Sequence, residues 1–216
     1  MDGSLSRQQD QAHHVRREWR RAWYTAAMQR DIERVLIDRD AIARRVRELG
    51  QQIAADLREP ASGGEPVEIT LVPVLTGSLI FLADLVRELP IRMQIHVMSI
   101  TSYPGRSTAS RGASIEAGLT RLPESLAGLH VLLIDDILDS GHTLKLATDT
   151  LRQRQPASLR TCVLLRKRRE QAMQTPVDYV AFDIPDAFVV GYGLDYDDYY
   201  RNLPEIVTLR PDVVGR

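Results

Sequence analysis

The chain has 216 residues, 44% of them apolar and 26% charged, with 28 Lys+Arg against 29 Asp+Glu for a net charge of −1. This balance excludes disorder along the whole chain and leaves no basic excess of the kind that nucleic acid or an anionic membrane would demand. A single cysteine, Cys162, excludes intramolecular disulfides and multi-cysteine metal sites, so a reducing cytoplasm is the expected location.

The first residues, MDGSLSRQQDQAHH, carry no apolar signal core, so secretion is not expected. No apolar run is long enough to cross a bilayer. Residues 1–36 read as an N-terminal extension, partly helical or disordered, ahead of one domain over 37–216. Val15, Trp19 and Trp23 lie four apart among Arg16, Arg17, Arg20 and Arg21. That spacing gives one apolar helical face. A frayed helix is the simpler reading, and a helix that binds a partner or a membrane surface is the sharper one.

Ile42, Val46, Leu49, Ile53 and Leu57 repeat at helical spacing behind a candidate N-cap, Asp38, and Gly63-Gly64 follow that helix. Residues 67–74 read as a strand, the turn Leu75-Thr76-Gly77 follows, and 78–88 read as a helix. Another strand is expected over 93–100. Residues 101–120, rich in Ser, Gly and Arg, form the one long irregular segment, a frequent origin of functional lids. Strands are expected over 130–134, 159–165 and 177–182, with a helix over 143–154. Strands alternating with helices imply βαβ units in a mostly parallel sheet. Ligands in such sheets bind beyond the carboxyl ends of the strands.

The informative residues fall at one such end. An apolar strand runs through Val131-Leu-Leu-Ile into Asp135 and Asp136, then Ile137-Leu138, then Asp139, then Ser140-Gly141-His142-Thr143 at the opening of a helix. Small residues, hydroxyls and a helix N-terminus suit a phosphate cradle. No GxxxxGK[ST] pattern is present, so this is not a Walker loop. Carboxylates repel phosphate but suit ribose hydroxyls or magnesium, a hard, oxygen-seeking cation. Three acids beside a phosphate cradle point to a phosphorylated sugar bound with a metal. Their alternative role is as caps and solvated turn charges.

This segment resembles the phosphoribosyl-diphosphate (PRPP) motif of type I phosphoribosyltransferases. The likeness to the hypoxanthine-guanine branch runs from about Leu36 to about Leu209, through LVPVLTGSLIFLADLVREL (71–89), MSITSYPG (98–105), VLLIDDILDSGHTL (131–144), LLRKR (164–168) and VDYVAFDIPDAFVVGYGLDYDDYYRNLPEI (177–206). The last stretch is the most specific, since many subfamilies share the PRPP motif. The resemblance implies a central, mostly parallel sheet flanked by helices with a small hood over the active site. It implies purine salvage: hypoxanthine or guanine and PRPP yield IMP or GMP and pyrophosphate, with Mg2+, through an oxocarbenium-like state.

By resemblance, Asp139 is the general base or hydrogen-bond acceptor at the purine ring nitrogen. Asp135 and Asp136 face the ribose hydroxyls and the metal. Ser140, Gly141, His142 and Thr143 hold the 5′-phosphate, and Thr76, Gly77 and Arg201 serve the pyrophosphate. Lys167 donates to the purine carbonyl, Phe188 stacks on the base, Val189 and Asp195 meet its edge, and Asp195 is also a metal acid. Ser102 and Tyr103 belong to a mobile loop that closes over the reaction centre. Read alone, Lys167 is one cation in a basic turn and Phe188 an ordinary core residue. All but two of the 28 basic residues are arginine, however, so a retained lysine stands out.

Thr76 departs from the family pattern, in which a lysine or arginine is common. A cis Leu75–Thr76 bond and weaker pyrophosphate-side affinity are expected. Homo-dimers or homo-tetramers are common in the family. Two other readings compete: a xanthine-preferring relative, and a PRPP-sensing regulator that binds nucleic acid through its arginine-rich extension. The purine-site set and the neutral charge argue for no nucleic-acid partner.

Overall fold

The computed structural model describes residues 26–57, 67–101, 114–116 and 120–214. In chain order these form α1 (Ala26–Asp31), β1 (Ile32–Ile37), α2 (Arg39–Asp56), β2 (Ile69–Leu75), α3 (Leu79–Leu85), a 3-10 turn (Val86–Glu88), β3 (Met93–Ile95), β4 (Met98–Thr101), β5 (Ser114–Ile115), β6 (His130–Leu138), α4 (His142–Arg152), β7 (Ser158–Lys167), α5 (Glu170–Gln174), β8 (Tyr179–Ile184), β9 (Val189–Val190) and β10 (Ile206–Leu209). They divide into two compact units. One is residues 40–187, and the other joins the described residues before 40 to those from Phe188 onward.

The larger unit is built on a sheet of order β5-β4-β2-β6-β7-β8, with β3 also beside β2. Its pairs are parallel except for β4 with β5. The centre of the sheet is buried on both faces, which is why β2, β6 and β7 read as continuous apolar runs rather than alternating ones. Leu144, Ala147 and Leu151 form the buried stripe of α4, and they share a core with Val72, Val131, Leu133 and Val163 from the central strands. The helix expected from the spacing of Ile42 to Leu57 is α2, which begins directly after Asp38 and buries Ile42, Val46, Leu49 and Ile53.

The strands expected over 67–74, 159–165 and 177–182 are offset by one or two residues at their ends, and two others differ further. The single strand over 93–100 is two, because β3 pairs with Ile69–Leu71 while β4 pairs with Val74 and Leu75. Between them Val97 turns away to bridge Arg121. The strand expected to stop at Ile134 continues to Leu138, since β7 goes on pairing with it past the acids, Asp135 with Val163 and Leu138 with Arg166.

At the sheet edge, Arg45 on α2 donates from Nε to the Ala181 carbonyl (2.9 Å) and from Nη2 to the Val180 carbonyl (2.8 Å). Carbonyls of an edge strand would otherwise be open to another chain. Tyr179 on the same strand donates to Asp56 Oδ2 (2.9 Å) and accepts from Arg160 (2.8 Å). Burial and the Asp56 carboxylate push its phenol up to about 12.

The smaller unit is an antiparallel sheet of order β1-β10-β9, in which Ile32 faces Leu209 and Val207 faces Val190. Val190, Leu203, Val207 and Leu209 form its core, against which Met28, Ile32 and Val35 pack. Tyr200 donates to Asp31 Oδ2 (2.9 Å) and Thr208 to Glu33 Oε2 (3.1 Å). Residues 26–36, read from sequence as part of an extension, are therefore helix and strand, and the boundary expected at residue 36 falls inside β1. Val15, Trp19, Trp23 and Gly63-Gly64 lie outside the described residues.

Candidate active site

The register of the parallel sheet assembles the site in residues 40–187. Leu138 pairs with Arg166, so the next residue on each strand, Asp139 and Lys167, emerge side by side. Lys167 pairs in turn with Ile184, which brings Asp186 within reach two residues on. Lys167 Nζ lies 2.8 Å from Asp139 Oδ2 and 3.7 Å from Asp186 Oδ1. The lysine is buried, so it is not a solvated turn charge. Arg169 Nη1 donates to Asp139 Oδ1, and Arg169 Nε lies 3.1 Å from Asp186 Oδ2. Burial pushes the Asp139 carboxyl up, but the bonds and charges of Lys167 and Arg169 outweigh it and hold the group below its ordinary value.

Asp135 and Asp136 sit within β6 itself. Asp135 is buried, accepts the Asp136 N–H at 3.0 Å, and lies well above the usual carboxylate range because burial and then the Asp136 charge oppose its ionisation. Asp136 Oδ1 accepts the Ile137 N–H at 2.9 Å. The turn after β2 comes against this pair, where a Cβ added at Gly77 would overlap the Asp136 carboxylate. Close backbone approach is what that position requires of glycine. The Leu75–Thr76 bond is cis, as expected, and the Thr76 side chain is exposed.

The cradle opens α4. Gly141, at its N-cap, has φ +80°, and a Cβ there would press into Thr175. Both facts select glycine. Ser140 Oγ and His142 Nδ1 share a hydrogen bond of 2.8 Å. Ser140 and His142 are exposed and Thr143 is half-buried.

In the smaller unit, Phe188 is 46% exposed and meets Tyr196 edge-to-face, centroids 5.5 Å apart. It is not a core phenylalanine, and its ring offers a stacking surface. Val189 is buried in β9. Arg201 is bound to Asp195 (2.9 Å), Asp198 (3.1 Å) and the Gly193 carbonyl (2.9 Å). Ser102 and Tyr103 lie outside the described residues.

Sequence reading missed Arg169 and Asp186. Arg169 stands in a run of four cations, Arg166 to Arg169. In an extended chain, alternate residues share a side. Lys167 and Arg169 meet the same two acids, whereas Arg166 makes a two-bond pair with Asp183 at 2.6 and 3.1 Å. That period of two was the available signal.

Among the described residues, no three His, Cys, Asp or Glu side chains are grouped to hold a metal ion. The donor set still fits magnesium, which keeps waters and takes one or two carboxylates together with substrate phosphates. Asp135 and Asp136 would supply those carboxylates beside the cradle.

A family profile described as "Phosphoribosyl transferase domain" matches residues 36–197. The hypoxanthine-guanine phosphoribosyltransferase of Mycobacterium tuberculosis is 44% identical over 184 residues, spanning 85% of this chain and 89% of the relative. A crystal structure of a hypoxanthine phosphoribosyltransferase from Staphylococcus aureus superposes with a TM-score of 0.77 at 35% identity, covering 89% of this chain and 99% of that one. A variant of the Trypanosoma cruzi enzyme, complexed with its product IMP, superposes with a TM-score of 0.71 at 37% identity, covering 84% and 92%.

Proposed function

The chain belongs to the hypoxanthine-guanine phosphoribosyltransferase family, and from that premise we propose that it salvages hypoxanthine or guanine by displacing pyrophosphate from PRPP. The new bond joins the sugar carbon to a purine ring nitrogen, the carbon–oxygen bond to pyrophosphate breaks, and the ring proton leaves with the help of a base. One observation carries this reading. Asp139 and Lys167 place an acceptor and a donor 2.8 Å apart, matching the adjacent N–H and C=O of a 6-oxopurine. Adenine offers an amino group there, a second donor facing a donor.

Asp139 accepts the ring N–H and takes its proton as the glycosidic bond forms, a contribution of about 10²–10⁴-fold in such reactions. Lys167 holds the carbonyl. Asp135 and Asp136 orient the ribose hydroxyls, and their charge opposes the positive charge that develops on the sugar. Ser140, Gly141, His142 and Thr143 hold the 5′-phosphate through hydroxyls and the α4 N-terminus. The Thr76–Gly77 backbone receives pyrophosphate, with one fixed positive charge fewer than a lysine would bring. Phe188 supplies the stacking ring, Val189 and Asp195 the contacts to the base edge, and Arg201 a pyrophosphate-side cation. Bound magnesium would neutralise charge on the diphosphate, with Asp135 and Asp136 as its carboxylates.

A homo-dimer or homo-tetramer in the cytoplasm is the proposed setting. No described helix is long and apolar enough to cross a membrane, and the one cysteine is buried. The test is nucleotide formation from PRPP and magnesium with hypoxanthine, guanine, xanthine and adenine offered separately. Turnover of hypoxanthine or guanine is expected. Xanthine alone would change the substrate. No turnover of any base, despite measurable PRPP binding, would overturn the transferase reading in favour of a PRPP-sensing regulator.

A further inference from the structure

Both oxygens of Asp139 are held by cations, and the two cations differ in kind. Lys167 Nζ approaches Oδ2 and Arg169 Nη1 donates to Oδ1. Asp186 then bridges the same two cations, Oδ1 to Lys167 and Oδ2 to Arg169. The four side chains close a ring of alternating charge, of which the proposed chemistry uses only Asp139 and Lys167. An ammonium is a compact donor on a flexible stem, so Lys167 can turn from a carboxylate to a purine carbonyl. A guanidinium is a planar fork whose donors stay fixed relative to one another. If Lys167 alone held Asp139, the carboxylate would be free to rotate once the lysine engaged substrate.

We propose that Arg169, anchored by Asp186, is a positioning residue that holds Asp139 by Oδ1 so that Oδ2 stays presented beside Lys167 when the base arrives. The role in transfer rests on the 6-oxopurine reading, while the clamp itself is a property of the ligand-free protein. The charged groups facing Asp139 are Lys167 and Arg169 from the end of β7 and the turn after it, with Asp186 beyond them from the turn after β8. Arg169 adds positive charge beside the carboxylate, so its loss should make Asp139 easier to protonate. The carboxylate then becomes less well placed to meet the purine N–H.

Arg169 is half-exposed, so its substitution leaves no cavity. The experiment compares wild type with Arg169→Ala and Arg169→Lys in two ways. Carbon-13 NMR follows the Asp139 carboxyl titration in the ligand-free proteins. Steady-state kinetics vary hypoxanthine and PRPP separately across pH. For Arg169→Ala, the NMR midpoint should rise and the acid limb of kcat/KM for hypoxanthine should move to higher pH. Its kcat should fall about tenfold while the KM for PRPP stays within about twofold. Arg169→Lys should restore the midpoint, which needs only charge, but not kcat, which needs the fork. An unmoved midpoint in Arg169→Ala overturns the clamp, as does an equal loss toward PRPP and base. Wild type that turns over no base overturns the transferase reading, and the NMR midpoint still decides the clamp.

Discussion

An asparagine at position 139 keeps the shape of the carboxylate and removes its charge. Asp139→Asn should fold yet lose about 10²–10⁴-fold in turnover with saturating PRPP, whereas Lys167→Ala should raise the KM for the base far more than that for PRPP. The same charge sets a pH dependence. Asp139 is held below its ordinary value in the folded protein. Its ion pairs therefore stabilise the fold above the unfolded carboxylate range, and that contribution is lost as pH falls through the lowered value. Urea midpoints of wild type should accordingly fall more steeply between pH 5 and 3 than those of Asp139→Asn, a difference read by circular dichroism. Asp139 and its neighbouring acids were legible in the sequence because their chemistry is crowded into nine consecutive residues. Asp186 was not, since its role depends on a strand pairing that no local pattern encodes.

At the scale of elements, the turn after β2 and the strand β6 are fitted to one another through a missing side chain. Gly77→Ala would drive a methyl group into the Asp136 carboxylate. Activity should fall by at least tenfold with the melting temperature little changed, because the carboxylate can swing aside but then leaves the place proposed for it at the ribose. Arg45 joins α2 to the edge of the sheet by two charged hydrogen bonds to carbonyls. Arg45→Ala should lower stability by about 1.5–3 kcal/mol for each bond that finds no substitute, with kcat unchanged, as chemical denaturation and turnover would show. In the larger unit the order of the main strands and helices was readable from apolar runs and glycine punctuation, whereas β5 and α5 were not read. Strand ends were not, because the pairing partner decides them: β6 outlasts its apolar run since β7 continues alongside, and the 93–100 strand breaks where Val97 finds Arg121.

At the scale of the molecule, the one cysteine reports on opening of the larger unit. Cys162 is fully buried in β7, and burial pushes its thiol upward. A thiol-specific chromogenic reagent should leave the native protein unlabelled and take one equivalent once urea unfolds it, with PRPP slowing the reaction at intermediate urea. The architecture of this unit could be read from the sequence, but the smaller unit could not. Its sheet pairs Ile32 with Leu209, at nearly opposite ends of the chain, so residues 26–36 look like a tail until their partner is known. The pairing of Leu138 with Arg166 has a different kind of consequence. A slip of one residue between β6 and β7 would turn every side chain of one strand to its other face, against a core packed for different side chains, and would separate Asp139 from Lys167 in the same movement. The sheet thus proofreads its own chemistry: a chain that mispairs these strands fails to fold, and does not persist as a sound but idle enzyme.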